Sequence, residues 1–186
     1  MSKSYILASG SPRRKELLEL LHIDFKIITS DIEEIINPDL SHEDVVMDLA
    51  KQKATDIASS NKGSIVLGFD TLVIYKNSPL GKPKDNNDAF SMLRQLSGNT
   101  HQVLTGCCII EGDKVETFYD QALVTFSTMT DQEILDYIDT NEPMDKAGAY
   151  GIQGYGAKFI ENVNGDFYSV MGLPINKLYK YLNNIK

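Results

Sequence analysis

The segment LASGSPRRKELLELL, residues 7–21, places two hydroxyls, a glycine and two arginines where an apolar run gives way to a leucine-rich helix. Ser9 and Ser11 flank Gly10, which allows a tight turn, and Arg13 and Arg14 add forked donors with fixed charge. A helix N-terminus already carries partial positive charge, so each arginine there costs ~0.3–1 kcal/mol unless an anion offsets it. The segment therefore predicts a site for an oxyanion such as phosphate. The alternative is a capped helix with two solvated arginines.

A lysine in the next expected helix lies among apolar residues. In SHEDVVMDLAKQKATDIASS, apolar residues recur at helical spacing and form one stripe: Val46, Leu49, Ala50, Ala54 and Ile57. Lys53 falls within this stripe, whereas Lys51 falls on the opposite side. Such a lysine either extends its ammonium to solvent along an apolar surface, or pairs with an acid or a ligand, and both interpretations stay open. Lys53→Met is expected to leave stability unchanged or raise it, since an apolar side chain replaces a buried charge.

An acid interrupts the apolar run IVLGFDTLVIY. A carboxylate in such surroundings costs free energy unless it is paired, hydrogen-bonded or bound to a metal. Asp70 is therefore either a structural acid that accepts backbone N–H groups at a strand break, or a catalytic base or metal ligand. It is the strongest single catalytic candidate in the chain.

The remaining polar candidates carry weaker signals. Lys82 lies in an expected turn, and Glu34 follows an expected strand. Gln153 lies among glycines and tyrosines in AYGIQGYG, where its amide either hydrogen-bonds the edge of a planar ligand or caps a loop. The three histidines lack the spacing of metal ligands. An excess of cations around one carboxylate suits a polyphosphate ligand, a divalent metal and an attacking water, which indicates phosphoryl-group chemistry on a small molecule.

Alternating strand and helix patterns must position these residues. Strands are predicted in KSYILAS (residues 3–9), in DFKIITSD and after the glycine-rich part of KAGAYGIQGYGAKFIENVNGD, and SIVLGFDTLVIYKN is an apolar run with one acid inside it. A hairpin with EGDK at its turn is predicted in residues 101–127. Helices are predicted over residues 11–22, from Ser41 to residue 60, before Gly98, over residues 130–140, and in MGLPINKLYKYLNNI, residues 171–185. This order predicts an α/β chain with a mixed sheet flanked by helices.

Composition limits the class of protein. The chain has 186 residues and a formal net charge of −8, which argues against binding of a nucleic acid polymer. No run is apolar and long enough to span a bilayer, so no membrane partner is expected. Cys107 and Cys108 are adjacent in an apolar run, which is typical of buried thiols in a reducing compartment. We therefore expect a cytoplasmic protein.

Seven motifs together resemble the Maf family of nucleoside triphosphate pyrophosphatases. They occur in the family's order over nearly the whole chain: LASGSPRRKELL, AKQKA, GFDTLV, GKPKD, LSGNTHQVLTG, DKAGAYGIQG and GLPINKL. The stretch AGAYGIQG resembles the subgroup that acts on dTTP and UTP. The resemblance implies one domain over residues 1–186, with a fold shared with inosine triphosphate pyrophosphatases: a long twisted mixed sheet, two lobes and a cleft.

The resemblance also implies a reaction and a set of site residues. It implies hydrolysis of a nucleoside triphosphate to the monophosphate and pyrophosphate, a divalent metal such as Mg²⁺, and often a homodimer. Asp70 matches the family's catalytic acid, and Glu34 matches an acid near the metal. The positions that match substrate-binding residues are Ser9, Ser11, Arg13, Arg14, Lys53, Thr71, Lys82 and Gln153. Members of the family are also linked to inhibition of septum formation, which leaves a non-catalytic nucleotide-binding regulator as the alternative.

Overall fold

The computed structural model describes residues 4–184, and within them a seven-stranded mixed sheet is the framework. The strands are β1 (Ser4–Leu7), β2 (Phe25–Ile27), β3 (Ser64–Tyr75), β4 (Ser78–Leu80), β5 (Thr100–Glu111), β6 (Lys114–Phe126) and β7 (Ile160–Gly165). Their order is β2-β1-β3-β5-β6-β7, with β4 paired to β3. β1 is parallel to β2 and β3, while β4 and β7 pair antiparallel with β3 and β6. The predicted mixed α/β class is confirmed.

Six helices accompany these strands in the described part of the chain, and the last two follow β7. They are α1 (Pro12–Glu19), α2 (His42–Ser60), α3 (Asn86–Leu96), α4 (Asp131–Ile138), α5 (Phe167–Val170) and α6 (Ile175–Asn184), together with 3₁₀ turns at Glu142–Asp145, Ala147–Ala149 and Tyr155–Phe159. Five helix N-termini are capped by side-chain oxygens, which belong to Ser11, Ser41, Asp85, Thr130 and Asp166. None of the helices found between residues 4 and 184 has the length and apolar character needed to cross a bilayer.

Several boundaries differ from the predictions. Helix α1 ends at Glu19 rather than at residue 22, because the chain then turns through His22 at a φ of 50°. β4 was not predicted; Lys76 and Asn77 adopt left-handed conformations and form a tight turn that pairs it with β3. Helix α5 was also missed, since it is only one turn long. The last helix, predicted from Met171, begins at Ile175, because Met171 caps α5 and Gly172 adopts a φ of 104°. Lys3 and Ile185, the ends of the predicted first strand and last helix, lie outside the described residues.

The chain divides into two compact units. The first contains the chain up to Thr71, Thr105–Asp120 and the chain from Gly172 onward; the second contains Leu72–Leu104 and Gln121–Met171. In the first unit, the buried face of α2 packs on β1, β3 and β5 through Ala50, Ala54, Ile6, Val66 and Cys108, among others. The core of the second unit is built from α3, α4, β5, β6 and the 3₁₀ turns. The single domain over residues 1–186 and the cleft stay predictions.

Candidate active site

The turn between β1 and α1 has the geometry that the sequence predicts. The Ser11 N–H donates to Ser9 Oγ at 3.3 Å, and Ser11 Oγ accepts from the Arg14 N–H at 3.5 Å as the N-cap of α1. A Cβ added to Gly10 would lie 3.0 Å from Thr29 Cγ2, so the turn is closely packed. The first turn of α1 contains no acidic residue. The partial positive charge of this helix end and the charges of Arg13 and Arg14 therefore favour an anion at the turn.

Arg14 points back into the protein. Its Nη1 donates to Ser9 Oγ at 3.1 Å, its Nη2 to Thr71 Oγ1 at 3.1 Å, and its Nε to the Gly172 carbonyl at 2.9 Å. Burial lowers the pKa of the Arg14 guanidinium, and the charge of Asp70 opposes that shift. Three donors thus hold the Ser9 turn, β3 and the chain before α6 together. Direct binding of substrate by Arg14 stays a prediction.

A hydroxyl that was not among the candidate residues completes this network. Thr105 Oγ1, on β5, lies 3.0 Å from Thr71 Oγ1 on the neighbouring strand β3. Thr105 is fully buried, and a buried hydroxyl requires a partner. Thr71 therefore contacts both Arg14 and Thr105, and these two contacts fix its side chain on β3.

Lys53 bridges two carboxylates. Its Nζ lies 2.5 Å from Asp70 Oδ1 and 2.9 Å from Glu34 Oε1, and the side chains of Lys53, Asp70 and Glu34 are 18%, 12% and 41% exposed. The apolar stripe of α2 is buried as predicted, while Lys51 is exposed. Burial raises the pKa of Asp70, although the charges of Lys53 and Arg14 pull it down. Of the two interpretations of Lys53, the structure supports pairing with acids.

Two glycines allow α2 to lie against the sheet. A Cβ at Gly68 would come within 2.3 Å of the Ala50 carbonyl oxygen, and one at Gly106 within 2.3 Å of the Val46 carbonyl oxygen. No larger residue fits at either position without moving the helix. Because this close packing fixes α2 over β3, the Lys53 ammonium reaches Asp70, two residues beyond Gly68.

A glutamine beside Lys53 fixes the segment that carries Glu34. Gln52 Oε1 accepts from the Ile35 N–H at 3.0 Å, and its Nε2 donates to the Ile35 carbonyl at 2.7 Å and to Asp48 Oδ2 at 2.7 Å. These partners also determine the orientation of the amide, since the Ile35 N–H can only donate and the Asp48 carboxylate accepts. Gln52 was not among the candidate residues, although it lies in the motif AKQKA and at i,i+4 spacing from Asp48 on α2.

The carboxylates suit a divalent metal that the substrate would help to bind. Among residues 4–184, no group of three or more His, Cys, Asp or Glu side chains could hold a metal ion. Asp70 and Glu34 share the Lys53 ammonium, and Mg²⁺ commonly takes one or two carboxylates together with waters and substrate phosphates. The carboxylates of Asp70 and Glu34 therefore fit Mg²⁺ as its protein ligands, and phosphate oxygens of the substrate would supply further ligands.

Two predicted site residues belong to the second unit. Lys82 is exposed in the connection between β4 and α3, which is tied down by a 3.0 Å bond from the Gly148 N–H to the Gly81 carbonyl. Gln153 is exposed between Gly151 and Gly154. Within the first unit, Arg13 is half-buried in the first turn of α1.

The other reactive side chains take no part in these contacts. Cys107 and Cys108 are buried free thiols in β5, as predicted, and burial raises the pKa of Cys107 and takes that of Cys108 to about 12. His101 is 2% exposed in the second unit, where its Nε2 lies 2.7 Å from the Tyr150 hydroxyl. Burial lowers the pKa of His101 to about 4, so its ring is neutral at physiological pH.

Comparison with known proteins gives consistent matches. A family model described as a Maf-like protein matches residues 4–185. The dTTP/UTP pyrophosphatases of Bacillus cereus strain G9842 and of Bacillus cytotoxicus are each 53% identical over 180 residues, which cover 97% of this chain and 94% of each relative. The structure of the Staphylococcus aureus Ham1 protein matches with a TM-score of 0.54 at 14% identity, over 99% of this chain and 100% of that one. A HAM1 protein from Coxiella burnetii matches with a TM-score of 0.54 at 12% identity, over 98% and 99% of the two chains. These two likenesses show the fold.

Proposed function

Because the chain belongs to the Maf family, we propose that it is a nucleoside triphosphate pyrophosphatase that hydrolyses dTTP and UTP to the monophosphate and pyrophosphate. The relatives named dTTP/UTP pyrophosphatase support this substrate choice. The observation that carries the proposal is the cluster of Asp70, Lys53 and Glu34, a buried acid held by a cation next to a second acid. Buried acids with raised pKa values are typical of groups that transfer protons.

The proposed reaction is in-line attack of water on the α-phosphorus. A bond forms between the water oxygen and the α-phosphorus, the bond to the bridging oxygen breaks, and pyrophosphate departs with the electron pair. Asp70 Oδ2, the oxygen away from the Lys53 contact, accepts the proton of the water. Lys53 orients this carboxylate. When bound by Asp70 and Glu34, a divalent ion such as Mg²⁺ supplies neutralisation of the phosphate charge.

Substrate binding is assigned to the side chains that match the family's substrate-binding positions. Ser9, Ser11 and Arg13 bind phosphate oxygens at the N-terminus of α1, where N–H groups and positive charge favour an anion. The exposure of Lys82 and Gln153 is consistent with contacts to the triphosphate and to the base. Thr71 and Arg14 support these groups through the contacts described above.

The proposal extends to the organisation of the protein. We assign residues 1–186 to one functional domain, because the family model covers both compact units. A homodimer follows from the family resemblance and is checked by light scattering on the purified protein. The cytoplasmic location is supported by Cys107 and Cys108, which are unpaired thiols.

The experiment that tests the function measures products from a panel of eight ribo- and deoxyribonucleoside triphosphates, with Mg²⁺ or with a chelator. We expect UMP or dTMP and pyrophosphate in equal amounts, and only with the metal. In ¹⁸O-labelled water the label should enter the monophosphate, because the α-phosphorus is attacked. Asp70→Asn should lower kcat roughly 100-fold or more while the fold is retained. Nucleotide binding without any hydrolysis would instead support the non-catalytic regulator.

A further inference from the structure

The glycine-rich segment Gly151–Gly156 is tied to one carboxylate and one phenol. Glu142 Oε1 accepts from the Tyr137 hydroxyl at 2.8 Å and from the Gly156 N–H at 3.0 Å, and Glu142 Oε2 accepts from the Tyr155 N–H at 2.8 Å. The Tyr137 oxygen accepts in turn from the Gly151 N–H at 3.0 Å. Both ends of the segment are therefore bonded to the same pair of side chains, which we call the Glu142–Tyr137 anchor.

The glycines of this segment are explained by its approach to the anchor. A Cβ at Gly154 would lie 2.3 Å from Glu142 Oε2, and the residue has a φ of +106°. A Cβ at Gly156 would lie 2.6 Å from the Tyr137 oxygen, and one at Gly151 would lie 3.2 Å from Glu142 Oε1. Gly154 and Gly156 are thus required for the backbone to close around the carboxylate, and Gly151 is closely packed against it.

The anchor is ionised and rigidly supported. Burial by itself raises the pKa of Glu142, but the hydrogen bonds from Tyr155, Tyr137 and Gly156 and the charge of Lys146 lower it overall. Its bonds to the segment are therefore charge-assisted at neutral pH, which makes them roughly twice as strong as neutral ones. Tyr137 is 1% exposed and its ring packs against Phe159 with centroids 5.5 Å apart. The phenol oxygen therefore has little freedom to move.

We propose that Glu142 and Tyr137 are positioning residues for base selection, acting through Gln153, which lies within the anchored segment. This inference rests on the proposed function. An amide end can match uracil in one orientation and cytosine in the other, so discrimination by Gln153 requires a fixed backbone, which the anchor supplies, together with a fixed orientation of the amide. A held amide that faces cytosine leaves polar groups unpaired at ~1–3 kcal/mol each, which corresponds to a preference for UTP of roughly tenfold or more.

The test compares selectivity, the ratio of kcat/KM for UTP to kcat/KM for CTP, among variants of the full chain. Glu142→Gln replaces one acceptor with an NH₂ group that faces a backbone N–H, and Tyr137→Phe removes only the hydroxyl. The control is Glu133→Gln, because Glu133 also accepts from a backbone N–H and a hydroxyl, those of Thr130, but does not contact the segment. We expect selectivity to fall about fivefold or more in Glu142→Gln and about threefold in Tyr137→Phe, and to be unchanged in Glu133→Gln.

Hydrogen exchange gives a second measurement that does not depend on activity. The amides of Gly151, Tyr155 and Gly156 should exchange about tenfold faster in Glu142→Gln than in the unmodified protein or in Glu133→Gln. Unchanged exchange would refute the anchor. Faster exchange with unchanged selectivity would refute its role in base selection, since a loss of stability alone lowers both kcat/KM values together.

Binding measurements separate this inference from the proposed function. If no nucleotide is hydrolysed, the affinities for UTP and CTP are measured by calorimetry with the same three variants. A preference for UTP that Glu142→Gln erodes would uphold the inference while the pyrophosphatase assignment fails. Absence of binding to either nucleotide would overturn both.

Discussion

Replacing Lys53 and replacing Asp70, the two partners of one ion pair, should change the free energy of unfolding by different amounts. Lys53→Met removes the cation 2.5 Å from Asp70 and leaves a buried carboxylate without its main partner. Asp70→Asn instead leaves Lys53 with Glu34 at 2.9 Å, so its charge is still paired. We therefore expect Lys53→Met to destabilise the protein at pH 7 and Asp70→Asn to leave the free energy of unfolding nearly unchanged. This reverses the expectation from the sequence that Lys53→Met is neutral or stabilising.

The magnitude follows from the alternatives open to Asp70. Breaking a buried ion pair by removing one partner costs about 3–5 kcal/mol, and here Arg14 and partial exposure reduce that cost. The variant can also protonate Asp70. With an unfolded pKa of about 3.9, protonation at pH 7 costs at most about 4 kcal/mol, and at pH 5 about 1.5 kcal/mol. We expect a loss of about 2–4 kcal/mol at pH 7.

The raised pKa of Asp70 determines whether the stability of Lys53→Met rises or falls with pH. The folded pKa of Asp70 is already raised by burial and rises further without Lys53, so folding favours the protonated acid. The stability of Lys53→Met should therefore fall further below that of the unmodified protein as pH rises from 5 to 7. Urea denaturation at pH 5, 6 and 7 measures this difference, and Lys53→Met/Asp70→Asn should recover most of the loss. Equal stability of Lys53→Met and the unmodified protein at pH 7, or no recovery in the double variant, would refute the reasoning. Whatever its stability, Lys53→Met should have a lower kcat than the unmodified protein, because Lys53 orients the proposed base.

Three further predictions test the groups around the site and the core of the second unit. Gln52→Leu should increase amide exchange at Ile35 by about tenfold, since it removes the hydrogen bond that holds this N–H, and native-state exchange measures it. Gly68→Ala should cost about 1–3 kcal/mol in urea denaturation because it forces α2 away from β3, whereas Gly81→Ala, with no atom within 4 Å of its added Cβ, serves as the control. The folded pKa of His101, about 4, lies below the unfolded value, so stability should be full above about pH 6.5 and fall by up to about 3 kcal/mol as pH drops toward 4. His101→Gln should flatten this pH dependence, and an unchanged slope would assign it to other groups.

Much of the fold could be predicted because its determinants are local. Caps such as Ser11 and Ser41, and the hydrophobic periodicity of α2, act within a few residues, so they can be read along the chain. The short elements β4 and α5 could not, because a three-residue strand or a single helical turn has too few positions to show a period.

Some residues of the candidate site could likewise be selected from the sequence, and others could not. A buried acid at Asp70, a lysine on an apolar stripe at Lys53, and two arginines at a helix N-terminus each conflict with their local surroundings, and such conflicts are visible in the sequence alone. Residues whose role depends on distant partners gave no such signal. Gln52 holds Ile35, seventeen residues away, and Glu142 bonds to the segment containing Gln153.

The sequence by itself therefore determined the class of fold, the capped starts of helices such as α1 and α2, and the residues that are costly to bury, because propensity, capping and desolvation are properties of short segments. Only the tertiary structure decided which charges compensate one another. In the folded protein, Arg14 donates to Ser9, Thr71 and the Gly172 carbonyl. Lys53 pairs with both Asp70 and Glu34. These partners are decided by the packing of α2 on β3, which requires Gly68 and Gly106, and by strand order. Packing at this distance is a cooperative property of the whole core, and no local pattern encodes it.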